Sequence, residues 1–178
     1  MTVIDKKSKQ VERHTIAILV DDEAGVLARV IGLFASRGYN IDSLTVSAVD
    51  EKKNISRITI VTQGAPVIIE HIMALLERLI PVHQVRDLTT EGPHIEREVA
   101  LLKVVCEGQK RIAAMKIADD FGARIVDSTE NSFIFELSDT TANLDTFTNQ
   151  LKPVGLVEIC RTGVAAMSRG NEGIGIGD

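Results

Sequence analysis

The sequence predicts a mixed α/β (α+β) protein made of two successive βαββαβ units. Three observations carry this. Strand-like and helix-like apolar runs follow one another in the same order twice along the 178 residues. Gly38 stands as far beyond His14, where the first strand-like run begins, as Gly122 stands beyond Glu98, where the second copy begins. Each half also leaves its second helix through Leu-x-Pro-Val, at residues 79–82 and 151–154. Self-similarity at a fixed spacing marks a duplicated unit, and this element order is that of a ferredoxin-like domain. Both helices are expected on one sheet face. A unit near 80 residues buries only about 60% of its unfolded surface. The other face has no cover inside its own unit, so pairing with a second copy, a homodimer, is the expected solution.

Each element has a local reason. His14 to Val20 (HTIAILV) is a continuous apolar run of β type. Val26, Leu27, Val30, Ile31, Phe34 and Ala35 then recur at helical spacing, and Gly38 stops that helix. Residues 40–49 and 56–62 are rich in Ile, Val, Thr and Ser, with charged residues 50–53 between them, which predicts a hairpin. Pro66 suits the start of a helix whose apolar face is Ile68, Ile69, Ile72, Met73, Leu76, Leu79 and Ile80. Pro81 ends it, and Val82 to Leu88 is a fourth strand. Thr89 to His94 (TTEGPH) is a polar connector and the domain boundary. In the second copy, Glu98 to Val105 is a strand and Lys110 to Phe121 a helix with Ile112, Met115, Ala118 and Phe121 on one side. Residues 123–127 and 132–137 pair, 141–151 is helical, and 157–162 closes the pattern. The expected division is a mobile tail over 1–13, a first domain over 14–90, a second over 91–167 and a flexible tail over 168–178.

Composition excludes several functions. The net charge is −5 and neither half carries a basic excess, which argues against a nucleic-acid surface. With no Trp, one Tyr and five Phe, base-stacking platforms are not expected. No apolar run approaches the roughly 18 residues of a membrane helix, and residues 1–12 lack the apolar stretch of a secretory signal. Cys106 and Cys160 form no C-x-x-C and read as reduced core cysteines of a cytoplasmic protein. His14, His71, His83 and His94 show no metal-ligand spacing. No G-x-S-x-G or P-loop lysine is present. The GIGIGD ending (173–178) follows no clear strand and opens no helix, so it reads as tail rather than a dinucleotide loop. No catalytic residue and no metal ligand is expected in this chain.

The informative segment is the strand–loop–helix at Val20 to Leu27. Asp21, Asp22 and Glu23 read as helix-start residues, with Asp22 the leading N-cap. Gly25 has no side chain and admits a ligand to the backbone. The N–H groups of Gly25, Val26 and Leu27 would form an anion site at a helix N-terminus, suited to a small carboxylate. Asn40, just past Gly38, both donates and accepts; from a paired subunit it could meet the ligand's ammonium.

The run DDEAGVLARVIGLFASRGYNIDSLTV (21–46) resembles the ACT domain of the regulatory, or small, subunit of acetolactate synthase (acetohydroxyacid synthase). The resemblance continues through SRITIVTQG (56–64), HIEREVALLKV (94–104) and RTGVAAMSRG (161–170). It implies a non-catalytic subunit of branched-chain amino-acid biosynthesis. Such a subunit binds and activates a thiamine-diphosphate-dependent catalytic subunit and confers feedback inhibition by valine. Thiamine diphosphate, Mg²⁺ and FAD would belong to that catalytic partner, with no cofactor in this chain. The effector site implied lies between two ACT domains, with Asp22, Gly25, Val26 and Leu27 from one chain and Asn40 and Ile41 from the other. The family usually has Asn where this chain has Asp22. An aspartate cannot donate to a carboxylate and repels one that it faces. A free-standing ACT sensor serving another enzyme is the alternative; the match at 161–170 favours the subunit.

Overall fold

In a computed structural model, which describes residues 11–171 and 173–175, the chain forms two compact units. Unit 1 holds residues up to Ile95 together with those from Val164 onward; unit 2 is Glu96–Gly163. Residues 91–95 and 164–167, expected in the second domain, group with unit 1 by their contacts. Residues 1–10 of the expected N-terminal tail lie outside the description, but Glu12 and Arg13 already belong to the first strand.

Unit 1 opens with β1 (Glu12–Asp21), α1 (Val26–Ala35), β2 (Ser43–Asp50), β3 (Ile55–Gly64), α2 (Pro66–Glu77) and β4 (Val82–Asp87). Its sheet runs β2-β3-β1-β4, every neighbour antiparallel. Ile16 pairs with Ile60 and Ile18 with Ile58, so one face of β1 and β3 meets the helices. That face closes on Val26, Val30, Leu33 and Phe34 of α1 and on Ile69, Ile72 and Leu76 of α2. The helical spacing missed Leu33, which is buried, and included Ile31, which is 39% exposed. Ile80, expected on the α2 face, lies beyond the helix end and is 96% exposed. At the start of β1, buried His14 sets its Nδ1 2.7 Å from the Asp87 carboxylate of β4.

The unbroken apolar run of β1 is buried on both faces, as a covered central strand should be. The cover on the far face comes from this chain, which corrects the expectation that a second copy must supply it. After unit 2 the chain returns as a short strand, Ala165–Ser168. Val164 and Ala166 pack on Ala17, Val61 and Leu88, with Ile174 against the same cluster. Ser43 accepts from the Val164 N–H at 2.8 Å, and Thr45 donates to its carbonyl at 3.1 Å. Arg57 donates to the Ala166 carbonyl at 2.6 Å, and Gly175 N–H reaches the Gln84 side chain at 3.3 Å. Of the expected flexible tail over 168–178, Ile174 packs on this cluster and Gly175 is tied to Gln84, while Arg169, Gly170, Asn171 and Gly173 are exposed; Glu172 and residues 176–178 lie outside the described residues.

Unit 2 repeats the order as β5 (His94–Val105, which starts just before the boundary), α3 (Gly108–Phe121), β6 (Arg124–Ser128), β7 (Ser132–Asp139), α4 (Thr141–Leu151) and β8 (Leu156–Arg161). The strand order β6-β7-β5-β8 matches that of unit 1 position for position. Both first helices end alike. Tyr39 N–H reaches back to the Phe34 carbonyl and Ala123 N–H to the Ala118 carbonyl, each closing the last turn around a glycine. The core holds Leu102, Phe133, Phe135, Leu144, Phe147 and Leu151. Against it α3 turns Ala114 and Ala118, while Ile112 and Met115, expected inward, are 63% and 43% exposed. Small residues let α3 lie close to the sheet. Cys106 is buried, but Cys160 pairs with Leu101 on the β5 face opposite the core and is exposed, correcting its reading as a core cysteine. In β5 only alternate residues are buried, so among the described residues of this unit one sheet face carries the core and the other does not. Buried Glu98 is held by a two-point contact from Arg161, which also reaches Asp145. The hydrogen bond to Glu98 is the main reason the Arg161 pKa lies above the usual guanidinium value.

Candidate functional site

The β1–α1 loop is shaped by Gly25. Its φ of 88° and ψ of −7° lie in the left-handed region, where side chains other than glycine are strained. Gly25 occupies the N-cap position of α1, and no side chain caps that end. Asp22, expected as the cap, is instead exposed, with its backbone N–H bonded to the Asn54 carbonyl at 2.6 Å. The adjacent Asp21 carboxylate is taken by His83, at 2.6 Å. Val26 is buried and its N–H reaches Glu23 at 3.3 Å, which removes it from the expected donor set. Among the described residues, the N–H groups of Gly25, Leu27 and Ala28 make no hydrogen bond. Three backbone donors at the positive end of a ten-residue helix are an arrangement chemically suited to an anion. The Ala28 donor was not singled out from the sequence, yet any helix start leaves its first N–H groups free.

Asn40 and Ile41 follow the other end of α1. Ile41 is half-buried against the unit 1 core. Asn40 is exposed and held firmly: its carbonyl accepts from Thr62 at 2.6 Å and its side-chain amide donates to Asp42 at 2.5 Å. Gln63 steadies the other Asp42 oxygen at 2.7 Å. The Asn40 side-chain oxygen is therefore left to accept, beside a carboxylate, which suits an ammonium. Asp42 and Thr62 were missed in the sequence; an acidic residue two places beyond Asn40 was the available signal. At 1.5 Å per residue, a ten-residue helix sets the two halves of the site about 15 Å apart. One chain brings Asp22, Gly25, Val26 and Leu27 together, and Asn40 with Ile41, but not the first group with the second.

Among the described residues no group of three His, Cys, Asp or Glu side chains is placed to hold a metal ion. No helix is long and apolar enough to cross a membrane among the described residues.

The duplicated fold and the glycine-opened loop define an ACT-domain protein with a second ferredoxin-like unit. The family model described as AHAS small subunit-like ACT domain matches residues 16–84. The one described as small subunit of acetolactate synthase matches 97–170. The chain is 40% identical over 160 residues to the probable acetolactate synthase small subunit of Archaeoglobus fulgidus, covering 90% of this chain and 99% of that one. It is 38% identical over 161 residues to the acetolactate synthase isozyme 3 small subunit of Escherichia coli K12, covering 90% and 98%. The crystal structure of the acetolactate synthase small subunit from Thermotoga maritima superposes with a TM-score of 0.79 at 32% identity, over 90% of this chain and 99% of that one. The chain belongs to the acetolactate synthase small-subunit family.

Proposed function

We propose that this protein is the regulatory subunit of an acetolactate synthase, active in the cytoplasm. It is non-catalytic, activates a thiamine-diphosphate-dependent catalytic subunit and mediates feedback inhibition by valine. Thiamine diphosphate, Mg²⁺ and FAD reside on the catalytic partner. The observation that carries the effector half of this reading is the divided site. The carboxylate cradle at Gly25 and Leu27 and the ammonium acceptor at Asn40 stand at opposite ends of α1. An amino acid is too short to span them within one chain, so two chains pairing through their ACT domains complete the site. Asp22 lies beside the cradle and weakens carboxylate binding by repulsion. Relatives named as acetolactate synthase small subunits across nearly the whole chain support the partner half.

The test is reconstitution with a catalytic subunit, with and without valine, leucine and isoleucine. Activation by this chain, no turnover by it alone, and inhibition that requires it are the expected results. Turnover by the purified chain equal to that of the complex overturns the non-catalytic reading. Valine inhibition unchanged when this chain is left out overturns the effector reading.

A further inference from the structure

We infer that Asp42 determines the specificity of the effector site, making it select an α-amino acid over the 2-oxo acid of the same carbon skeleton. This rests on the effector reading above. The side-chain amide of Asn40 has a donating end and an accepting end, and either can meet a ligand. Asp42 fixes which. Its Oδ1 accepts from the Asn40 Nδ2 at 2.5 Å, a charge-assisted hydrogen bond. Turning the amide over would lose that bond and set its oxygen against the carboxylate. The carboxylate is itself held, because Gln63 of β3 donates to its Oδ2 at 2.7 Å. The backbone around the pair is tied to β3 as well. The Asp42 N–H donates to the Val61 carbonyl at 2.8 Å, and Thr62 donates to the Asn40 carbonyl at 2.6 Å. Both donors to the carboxylate are neutral amides, so Asp42 keeps its negative charge and spare lone pairs on each oxygen.

That orientation decides between two closely related ligands. An α-amino acid brings an ammonium, which donates to the Asn40 oxygen and is attracted by the Asp42 charge. The 2-oxo acid carries a carbonyl oxygen on the same carbon. There it meets an acceptor with an acceptor, and it has no positive charge to offset Asp42. The donors at Gly25 and Leu27 read only the carboxylate, which both molecules share, and the hydrocarbon chains are identical. Discrimination therefore falls to the Asn40 end of the site. A site built around a ligand's hydrogen-bond donor rejects the analogue lacking it far more strongly than an apolar pocket rejects a missing methylene. Asp42 acts through Asn40 as well as by its charge, so it is a positioning residue, with Gln63 supporting it.

The test is calorimetric titration of the full chain with valine and with 3-methyl-2-oxobutanoate, its 2-oxo counterpart. The parent is expected to bind valine at least about tenfold more tightly. Asp42→Asn removes the charge and lets the Asn40 amide turn. The ratio of the two affinities is expected to fall about tenfold or more, with valine weakening while the oxo acid holds or gains. Gln63→Leu loosens the carboxylate without removing it and lowers the ratio by less. Asp42→Glu retains the charge and keeps most of the ratio. Asn40, Asp42 and Gln63 are exposed, so melting temperatures stay near that of the parent. A parent that binds the oxo acid as tightly as valine overturns the proposal and leaves the carboxylate donors at Gly25 and Leu27 standing. So does an Asp42→Asn protein that loses both ligands in proportion, the result of a merely structural role, or one whose ratio is unchanged. Should Asp42→Asn fail to fold, an unchanged ratio in Gln63→Leu overturns it instead. A parent that binds neither ligand overturns the effector reading itself, and this proposal with it.

Discussion

Replacing Gly25 by Asp separates the cost to the fold from the cost to the effector. A Cβ at Gly25 meets nothing within 4 Å, so there is no steric penalty. The backbone penalty is that of an L-residue at φ 88°, about 1–2 kcal/mol, with Asp at the low end. A carboxylate at the positive end of α1 returns about 0.3–1 kcal/mol. The net loss of stability is about 1 kcal/mol, which a folded domain tolerates. Effector binding loses far more. The new carboxylate stands where the ligand's should lie, and each charge-assisted hydrogen bond lost is worth about 1.5–3 kcal/mol. Affinity for valine is expected to fall by about tenfold or more per bond. Gly25→Ala carries the same backbone penalty without the charge and serves as the reference. Valine titration by calorimetry and urea denaturation of all three proteins measure the two terms. A folded Gly25→Asp protein that binds valine as the parent does would remove this loop from the site.

Four further outcomes follow from the geometry. Asp22→Asn removes an exposed charge beside the cradle and is expected to tighten valine several-fold by calorimetry, with little change in stability. Gly155→Ala would drive a Cβ into the Val105 carbonyl oxygen at φ 118°, a clash with backbone that cannot swing aside, and is expected to cost about 3 kcal/mol or more in denaturant unfolding. Arg161→Ala leaves the Glu98 carboxylate buried without its partner and is expected to destabilise by about 3 kcal/mol, with Glu98→Gln in the same background recovering part of it. Ending the chain at Gly163 uncovers Ala17, Val61 and Leu88 and is expected to destabilise unit 1 by about 2 kcal/mol or more, seen as a lower melting temperature and increased dye binding.

Local patterning determined the elements. The β1 run, the spacing of Val26, Val30 and Phe34 and the stopping glycines are decided within a few residues by backbone preference and burial period. The duplication was legible for the same reason, because the matched landmarks Gly38 and Gly122 each serve the end of their own helix. The helix start was equally local: Gly25 and Leu27 stand at the N-terminal end of α1, as the sequence predicts. Contacts distant in sequence decided the rest. That Gly25 rather than Asp22 takes the N-cap depends on Asp22 N–H pairing with Asn54 and Asp21 with His83. Ile112 and Met115 share a helix period with the core but face outward, because packing selects one stripe of α3 and small Ala114 and Ala118 fit it. Gly155 is required both by its left-handed φ and by the Val105 carbonyl that passes beside it, and the second of these is a contact distant in sequence. An apolar strand is the same sequence whatever covers its second face. Only the returning segment at Val164 and Ala166 shows that the second face of β1 in unit 1 is covered from within its own chain.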